Sequence, residues 1–332
     1  MNIGSQATLP PLARTPRVTV ITVCKDRAWC IEECVQSVLA QDYPNIEYII
    51  QDGASRDNTL EVLKKYGDRV QVYSEPDQGP MDAFHKALAR TTGDLFCLVL
   101  SDERFADNTV VSRMVEAFHE YPDSGVIYGD FRTVDSHYRA IRVETKRQIT
   151  FDEIFCREDF ISPCAAFVRT DTLRENGELR SDLRSLFFVI GDFGLWVYIG
   201  ARYPLKYVSG IIADFMVHGG ECSYDLNVCR AYIGESEMAI KSFQSPAYTP
   251  QALTALKTRA IGKLYLGFSS SLAGKYFSEP IQWAWKGIRT QPRLLFTRTF
   301  LSVLVKSAGL SALLPVRADG KRMKQPQAHA PH

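Results

Sequence analysis

Between residues 17 and 105 the chain alternates dense apolar runs with amphipathic segments, and each run stops at a turn-forming cluster. Arg17-Val-Thr-Val-Ile-Thr-Val23 is rich enough in β-branched side chains to predict a strand buried on both faces of a parallel sheet. Residues 29–40 follow, with Ile31, Cys34, Val35, Val38 and Leu39 on one helical face. Asn45-Ile-Glu-Tyr-Ile-Ile50 predicts a second strand, Thr59 to Tyr66 a helix, and Val70-Gln-Val-Tyr73 a third strand. Met81 to Ala89 predicts another helix and Leu95-Phe-Cys-Leu-Val-Leu100 a fourth strand. Units of this size in this alternation specify an α/β doubly wound sheet.

Such sheets bind ligands beyond the carboxyl ends of their strands. The residues there are Lys25-Asp26-Arg27, Asp52-Gly53-Ala54-Ser55, Glu75-Pro76-Asp77 and Ser101-Asp102-Glu103. Acids set side by side repel one another, so the arrangement needs a cation or a hydroxyl-rich ligand to offset the cost. The first strand is not followed by GxGxxG, and no Walker A sequence occurs. A nucleotide diphosphate would therefore be held another way, and a divalent cation between phosphates and carboxylates is the usual one.

Ser101-Asp102-Glu103 is the natural cation site, since Mg²⁺ or Mn²⁺ needs only one or two carboxylates beside substrate oxygens. The alternative is a solvated acidic turn or a helix cap. Asp52 at a strand end can accept hydrogen bonds from a base or ribose, whereas Asp57 also suits a cap on the helix near Thr59. Asp192 precedes the apolar segment Phe193 to Ile199, a pattern that by itself favours an N-cap. His218 could bind a metal or face a diphosphate, or be an ordinary surface histidine. His85, His119 and His137 carry no assigned role.

Four stretches resemble the family 2 glycosyltransferases of GT-A fold. Ile49-Ile-Gln-Asp-Gly-Ala-Ser-Arg-Asp-Asn-Thr59 is similar to their VDDGSxDxT, and Val18-Thr-Val-Ile-Thr-Val followed by Cys-Lys-Asp-Arg to their SIVIPxYN. Residues 31–44 resemble LxxxLxSLLxQxYP, and Glu75-Pro-Asp-Gln-Gly-Pro-Met-Asp-Ala-Phe-His-Lys86 resembles EPDxGxxDAxNKG. Leu98-Val-Leu-Ser-Asp-Glu103 occupies the place of the family's DxD-type metal motif. The matches are ordered over 17–105, and weaker ones continue to about 223.

The resemblance implies a GT-A fold, a Rossmann-like mixed or parallel sheet flanked by helices. It also implies inverting transfer of a sugar from a nucleotide-diphosphate-sugar donor with Mg²⁺ or Mn²⁺, a hexosyltransferase-like EC 2.4 reaction. Asp52 would contact the nucleoside, and Asp77 and Asp82 belong to the donor pocket. Asp102 would reach the ribose or diphosphate, and Glu103 would ligate the metal. The family usually has Asp at position 103, so either the metal geometry shifts or Asp102 takes more of the ligation. Val189-Ile-Gly-Asp-Phe-Gly-Leu-Trp196 resembles EDxxLWxR, whose second acid is the general base, here Asp192; Gly191 replaces the first acid. Met216-Val-His-Gly-Gly-Glu-Cys-Ser223 resembles the HxGSxS turn, which makes His218 a candidate metal residue. Cys164 stands where a His often follows Pro, and buried packing suits it better than an acceptor role.

Charge separates the chain into two parts. Of 39 Lys and Arg and 38 acids, 13 bases but only Glu279 and Asp319 lie in 257–332. An acidic body of −10 thus precedes a basic region of +11, which argues against nucleic acid as partner of the whole chain. Within 257–317 the bases interleave with Trp, Phe and Leu, as suits an anionic membrane surface, or else a packed helical cap with solvated charges. The expected organisation is a disordered leader (1–16), a glycosyltransferase domain (17–230), a helical region (231–317) and a disordered tail (318–332). Eight Cys without a CxxC pair, no apolar h-region and no uninterrupted apolar run of transmembrane length point to a cytoplasmic enzyme, and the membrane alternative for 257–317 would make it peripheral at the inner face of the cell membrane.

The expected function is transfer to a glycan or lipid-linked acceptor in bacterial polysaccharide biosynthesis. A processive membrane synthase is disfavoured by the missing QxxRW and the lack of a spanning segment. A nucleotidyltransferase would normally show a Gly-rich loop after the first strand. A nucleotide-sugar binding protein that has lost catalysis stays open through Glu103 and Gly191.

Overall fold

The computed structural model describes residues 8–175, 178–179, 183–217, 226–245, 247–273 and 278–307. The chain divides into two units, Met1–Val217 and His218–His332.

The first unit begins with β1 (Val18–Cys24), α1 (Ile31–Leu39), β2 (Ile46–Asp52), α2 (Thr59–Lys64), β3 (Gln71–Ser74), α3 (Pro80–Arg90) and β4 (Leu95–Leu98). It continues through β5 (Glu103–Phe105), α4 (Val110–Glu120), β6 (Val126–Val134), β7 (Ala140–Glu144), α5 (Phe151–Phe155) and β8 (Ala166–Arg169). A short antiparallel pair, β9 (Arg174–Glu175) and β10 (Glu178–Leu179), precedes α6 (Leu183–Gly200) and β11 (Leu205–Met216).

The main sheet has the order β3-β2-β1-β4-β8-β6-β11-β5, with β7 added to β6. The first four strands are parallel, as the alternation predicts. The far half is mixed: β8 runs antiparallel to β4 and β6, while β11 is parallel to β6 and antiparallel to β5. β1 is buried along its whole length, so its β-branched side chains pack on both faces. Each fully buried Val or Ile there contributes about 1.5–3 kcal/mol relative to exposure. The main core joins these strands to α1 and α4 through Ile31, Val35, Val110 and Phe118.

Residues 10–16, expected to belong to a disordered leader, are tied down instead. The Tyr43 hydroxyl donates to the Pro16 carbonyl at 2.7 Å, Asn45 donates to Thr15 at 3.1 Å, and the buried Arg169 guanidinium donates to Pro10. Leu12 packs against the main core. These long-range contacts offset the local preference of a Pro- and Thr-rich stretch. The tail at 318–332 lies outside the described residues.

The second unit is helical, with α7 (Leu226–Ser242), α8 (Pro250–Leu272), α9 (Ser278–Thr290), a 3₁₀ turn at Pro292–Phe296 and α10 (Arg298–Ser307). The sequence predicts one helix from Pro292 to Val305, but Thr297 is extended (φ −86°, ψ 146°) and divides it. Its hydroxyl donates to the Leu294 carbonyl at 2.7 Å and accepts from the Phe300 amide at 3.3 Å. Thr297 thus ends one turn and caps the next helix. A small core of Leu266, Ala284, Ile288, Leu294, Phe300 and Val303 holds this end together. No helix among the described residues is long and apolar enough to cross a membrane.

Candidate active site

The parallel order β3-β2-β1-β4 brings the four acid-bearing turns to one edge. Two of them are stitched together. The Asp26 amide donates to Ser55 Oγ at 2.8 Å, and the Arg56 amide donates back to Asp26 Oδ1 at 2.7 Å. Asp57 accepts from the Ala28 amide at 3.0 Å and from the Thr59 amide at 2.9 Å. Its role is therefore a staple between loops; the cap position of α2 is Asn58. The conformation carries strain, since Asp26 and Ala54 both have positive φ.

Asp52 is fully buried. Its oxygens accept from the Ser55 amide at 3.0 Å, from the Ser55 hydroxyl, from Ser74 Oγ at 2.6 Å and from the Cys24 thiol at 3.7 Å. In this conformation it organises the turn and offers no free carboxylate at the open edge. Asp77 crosses to the same turn: a Cβ on Gly53 would lie 2.2 Å from its Oδ2, so any larger residue at 53 would push the Asp77 carboxylate out of this position. Asp77 also accepts from the Gly79 amide at 2.9 Å. Asp82 is buried in the first turn of α3, accepts from the Gln78 amide at 3.1 Å and pairs with Lys86 at 3.2 Å. The two acids hold the 75–79 loop from either end.

Asp102 and Glu103 go separate ways. Asp102 is half-buried, and its charge is among the causes that, after burial, push the Cys30 thiol up to about 12. That places it beside the 25–30 loop. Glu103 is 3% exposed and accepts from the Leu100 amide at 2.7 Å. Burial pushes its pKa up to about 8, with the Asp102 charge adding to the rise and hydrogen bonds from Leu100 and Cys164 opposing it. Cys164 is itself buried, against Ser162 at 3.2 Å. Among the described residues no three His, Cys, Asp or Glu side chains form a ready metal cage. A half-exposed Asp102 next to substrate oxygens still fits Mg²⁺ or Mn²⁺, which commonly use one carboxylate plus phosphates. His218 lies outside the described residues.

Asp192 reaches the site from another direction. Helix α6 breaks at Gly191, where φ is 55° and ψ −143°, a conformation open mainly to glycine. Asp192 therefore opens the second helical segment and lies at the rim of an apolar recess formed by Met81, Phe84, Leu98, Pro163 and Trp196. Leu98 is the last residue of β4, which puts Asp192 at the same edge as the other acids. The Trp196 indole donates to the Ile161 carbonyl at 3.0 Å and fixes the segment. Asp192 is exposed as a residue, but the crowded surroundings of its carboxyl desolvate it and raise its pKa. Opposing that rise are the Phe193 amide, which donates at 2.9 Å, and the Arg157 charge. Its bond is to the next amide, not the N2 or N3 amide of an ordinary cap.

Two polar networks escape sequence reasoning. Arg90 donates to Gln51 Oε1 at 3.0 Å and to Glu75 at 2.8 Å, and Gln51 donates to Glu75 at 3.3 Å. A polar Gln51 inside an apolar strand was the available signal. Asp214, fully buried, lies between Arg104 Nε at 2.9 Å and Arg132 Nε at 2.7 Å. Nothing in the sequence marks it, because both arginines meet it only through strand register.

The family model described as Glycosyl transferase family 2 matches residues 19–177. A PGL/p-HBAD biosynthesis glycosyltransferase of Mycobacterium bovis is 21% identical over 62% of this chain and 78% of its own length. An uncharacterised glycosyltransferase of Mycobacterium tuberculosis is 35% identical over 32% of this chain and 41% of its own. Among solved structures, S. aureus TarS 1–349 in complex with UDP-GlcNAc superposes with a TM-score of 0.61 at 16% identity, over 89% of this chain and 90% of that one. The mannosyltransferase PcManGT from Pyrobaculum calidifontis, with GDP-Man and Mn²⁺, gives a TM-score of 0.52 at 15% identity, over 92% and 90%. The fold is thus GT-A-like: a mixed sheet flanked by helices, followed by α7–α10.

Proposed function

The chain belongs to glycosyltransferase family 2, as a nucleotide-sugar-dependent glycosyltransferase (EC 2.4), and from that premise we propose an inverting transfer in which Asp192 is the general base. The observation that carries this is the break at Gly191, which sets a carboxyl of raised pKa at the strand edge beside an apolar recess. A base works best when its pKa approaches the operating pH, and desolvation moves Asp192 in that direction.

Asp192 accepts the proton of the acceptor hydroxyl as that oxygen bonds to the anomeric carbon. The bond from that carbon to the diphosphate breaks on the opposite face, and its electron pair leaves with the nucleoside diphosphate. Asp102 is the residue that would hold the divalent cation, which supplies charge neutralisation for the leaving diphosphate. Glu103 sets the turn that presents Asp102. Asp52, Asp77 and Asp82 shape the donor pocket by fixing the 52–59 and 75–79 loops. His218 is proposed as a further contact of the metal or diphosphate, on the strength of its motif alone.

The donors of the solved relatives, UDP-GlcNAc and GDP-Man, define the panel to try first. The acceptor is proposed to be a glycan or lipid-linked hydroxyl in bacterial polysaccharide assembly; the apolar walls beside Asp192 suit an acceptor with a non-sugar part. The enzyme is proposed to act at the inner face of the membrane, met through its basic C-terminal helices.

The test compares wild type with Asp192→Asn on a panel of UDP- and GDP-sugars with Mn²⁺. Loss of the base lowers turnover by about 10²–10⁴-fold, while donor affinity stays within about twofold, since the change is isosteric and away from the donor loops. Equal turnover would remove Asp192 from the role. No turnover by either protein, with donor bound, would favour a binding protein instead.

A further inference from the structure

The α9–α10 end of the second unit carries large apolar side chains on its surface, each with a base one turn away. Phe296 is 85% exposed, Leu301 55% and Trp285 46%. Trp285 and Arg289 are spaced i, i+4 on α9, and Arg298 and Leu301 i, i+3 on α10, so each pair shares a helix face. Arg293 and Phe296 are three apart in the 3₁₀ turn, where such positions eclipse. The Trp285 ring meets Phe300 edge-on at 5.6 Å, which braces one side of the patch against the small core. Thr297 forces the chain to turn and leaves Phe296 at the outer corner.

Charge identifies the occupant. Arg289, Arg293 and Arg298 are exposed and have no carboxylate partner among the described residues. The one acid in 278–307, Glu279, is engaged by Arg230. Lys286 is engaged by Glu237 and Tyr265. The free charge is therefore all positive, alternating with side chains that water solvates poorly. A surface that takes both is the headgroup boundary of an anionic bilayer, which accepts guanidinium groups at its phosphates and aromatic rings below them.

The geometry points to this face, with Phe296 as its inserting tip, as a docking surface for anionic lipid. The inference rests on the membrane localisation proposed above and narrows it to three basic–apolar pairs. No helix among the described residues is long and apolar enough to span a membrane, and the proposed contact is interfacial.

The test is co-sedimentation of the full chain with phosphatidylglycerol vesicles and with phosphatidylcholine vesicles, at low and high salt. Wild type binds the anionic vesicles, binds the neutral ones at least tenfold more weakly, and is released by salt. Phe296→Asp and Leu301→Asp each weaken binding about tenfold or more, and Arg293→Ala and Arg298→Ala about fivefold each. Donor-induced thermal stabilisation is unchanged in all four, which shows that the fold persists. If wild type ignores anionic vesicles at low salt, both the localisation and this face fall, and an acidic protein becomes the partner to seek. If wild type binds but the four variants bind equally well, this face is wrong while the localisation stands. Equal binding to neutral vesicles would overturn the anionic specificity.

Discussion

Asp102 and Glu103 are neighbouring carboxyl residues, yet only Asp102 keeps contact with water. Burial gives Glu103 a folded pKa of about 8 against an ordinary value of 4.5. The folded state then holds more protons than the unfolded state between these values, so its contribution to stability falls as pH rises through that window and is level above it. In metal-free buffer, urea unfolding of wild type should lose up to about 1.4 kcal/mol per pH unit from this group. Glu103→Gln keeps an acceptor for the Leu100 amide and removes the titration, so its stability should gain on wild type from pH 5 to pH 8.5. An unchanged slope would mean that another group titrates there. Asp52 gives a parallel case, since packing sets its partners: its carboxylate accepts hydrogen bonds from Ser55, Ser74 and Cys24.

At the scale of the element, α6 is one helix by its apolar content and two by its backbone. Apolar content across 183–200 suggests one continuous helix, and the local cues to a break are Gly191 and the Asp192 that follows it in N-cap position. Because φ is positive there, Gly191→Ala should cost about 1–3 kcal/mol in urea unfolding, as read from the midpoint. It should also lower turnover more than donor affinity, since it redirects Asp192. A variant with full turnover would show that the break does not place the base. The region 292–305 teaches the same point in reverse: its apolar spacing predicts a continuous helix, and the Thr297 hydroxyl, with partners on both sides, divides it.

For the whole molecule, the near-neutral net charge of +1 conceals a carboxylate-lined sheet edge in one unit and a basic apolar face in the other. Ligand binding to the folded state alone stabilises the chain by mass action. A cognate nucleoside diphosphate at one hundred times its Kd, with Mn²⁺, should add about 2.7 kcal/mol and raise the melting temperature. The rise should shrink in Asp102→Asn when Mn²⁺ is the cation and change little when none is added. If no member of a UDP and GDP panel shifts the melting curve, the donor site is misplaced.

The parallel half of the sheet and its four acid-bearing turns were legible in the sequence because they depend on local pattern: β-branched runs, helical spacing and turn residues close together along the chain. The grouping of Asp52, Asp77 and Asp102 at one edge followed from that order of elements. Which carboxylates face water did not follow, because burial depends on residues far away in sequence, as when Cys164 closes over Glu103 or Ser74 over Asp52. Arg104 and Arg132 meet Asp214 through strand register across 110 and 82 residues, a distance no local pattern spans. Chemical identity at each position is a property of the sequence, but desolvation and the choice of hydrogen-bond partner belong to packing, and those set what each acid can do.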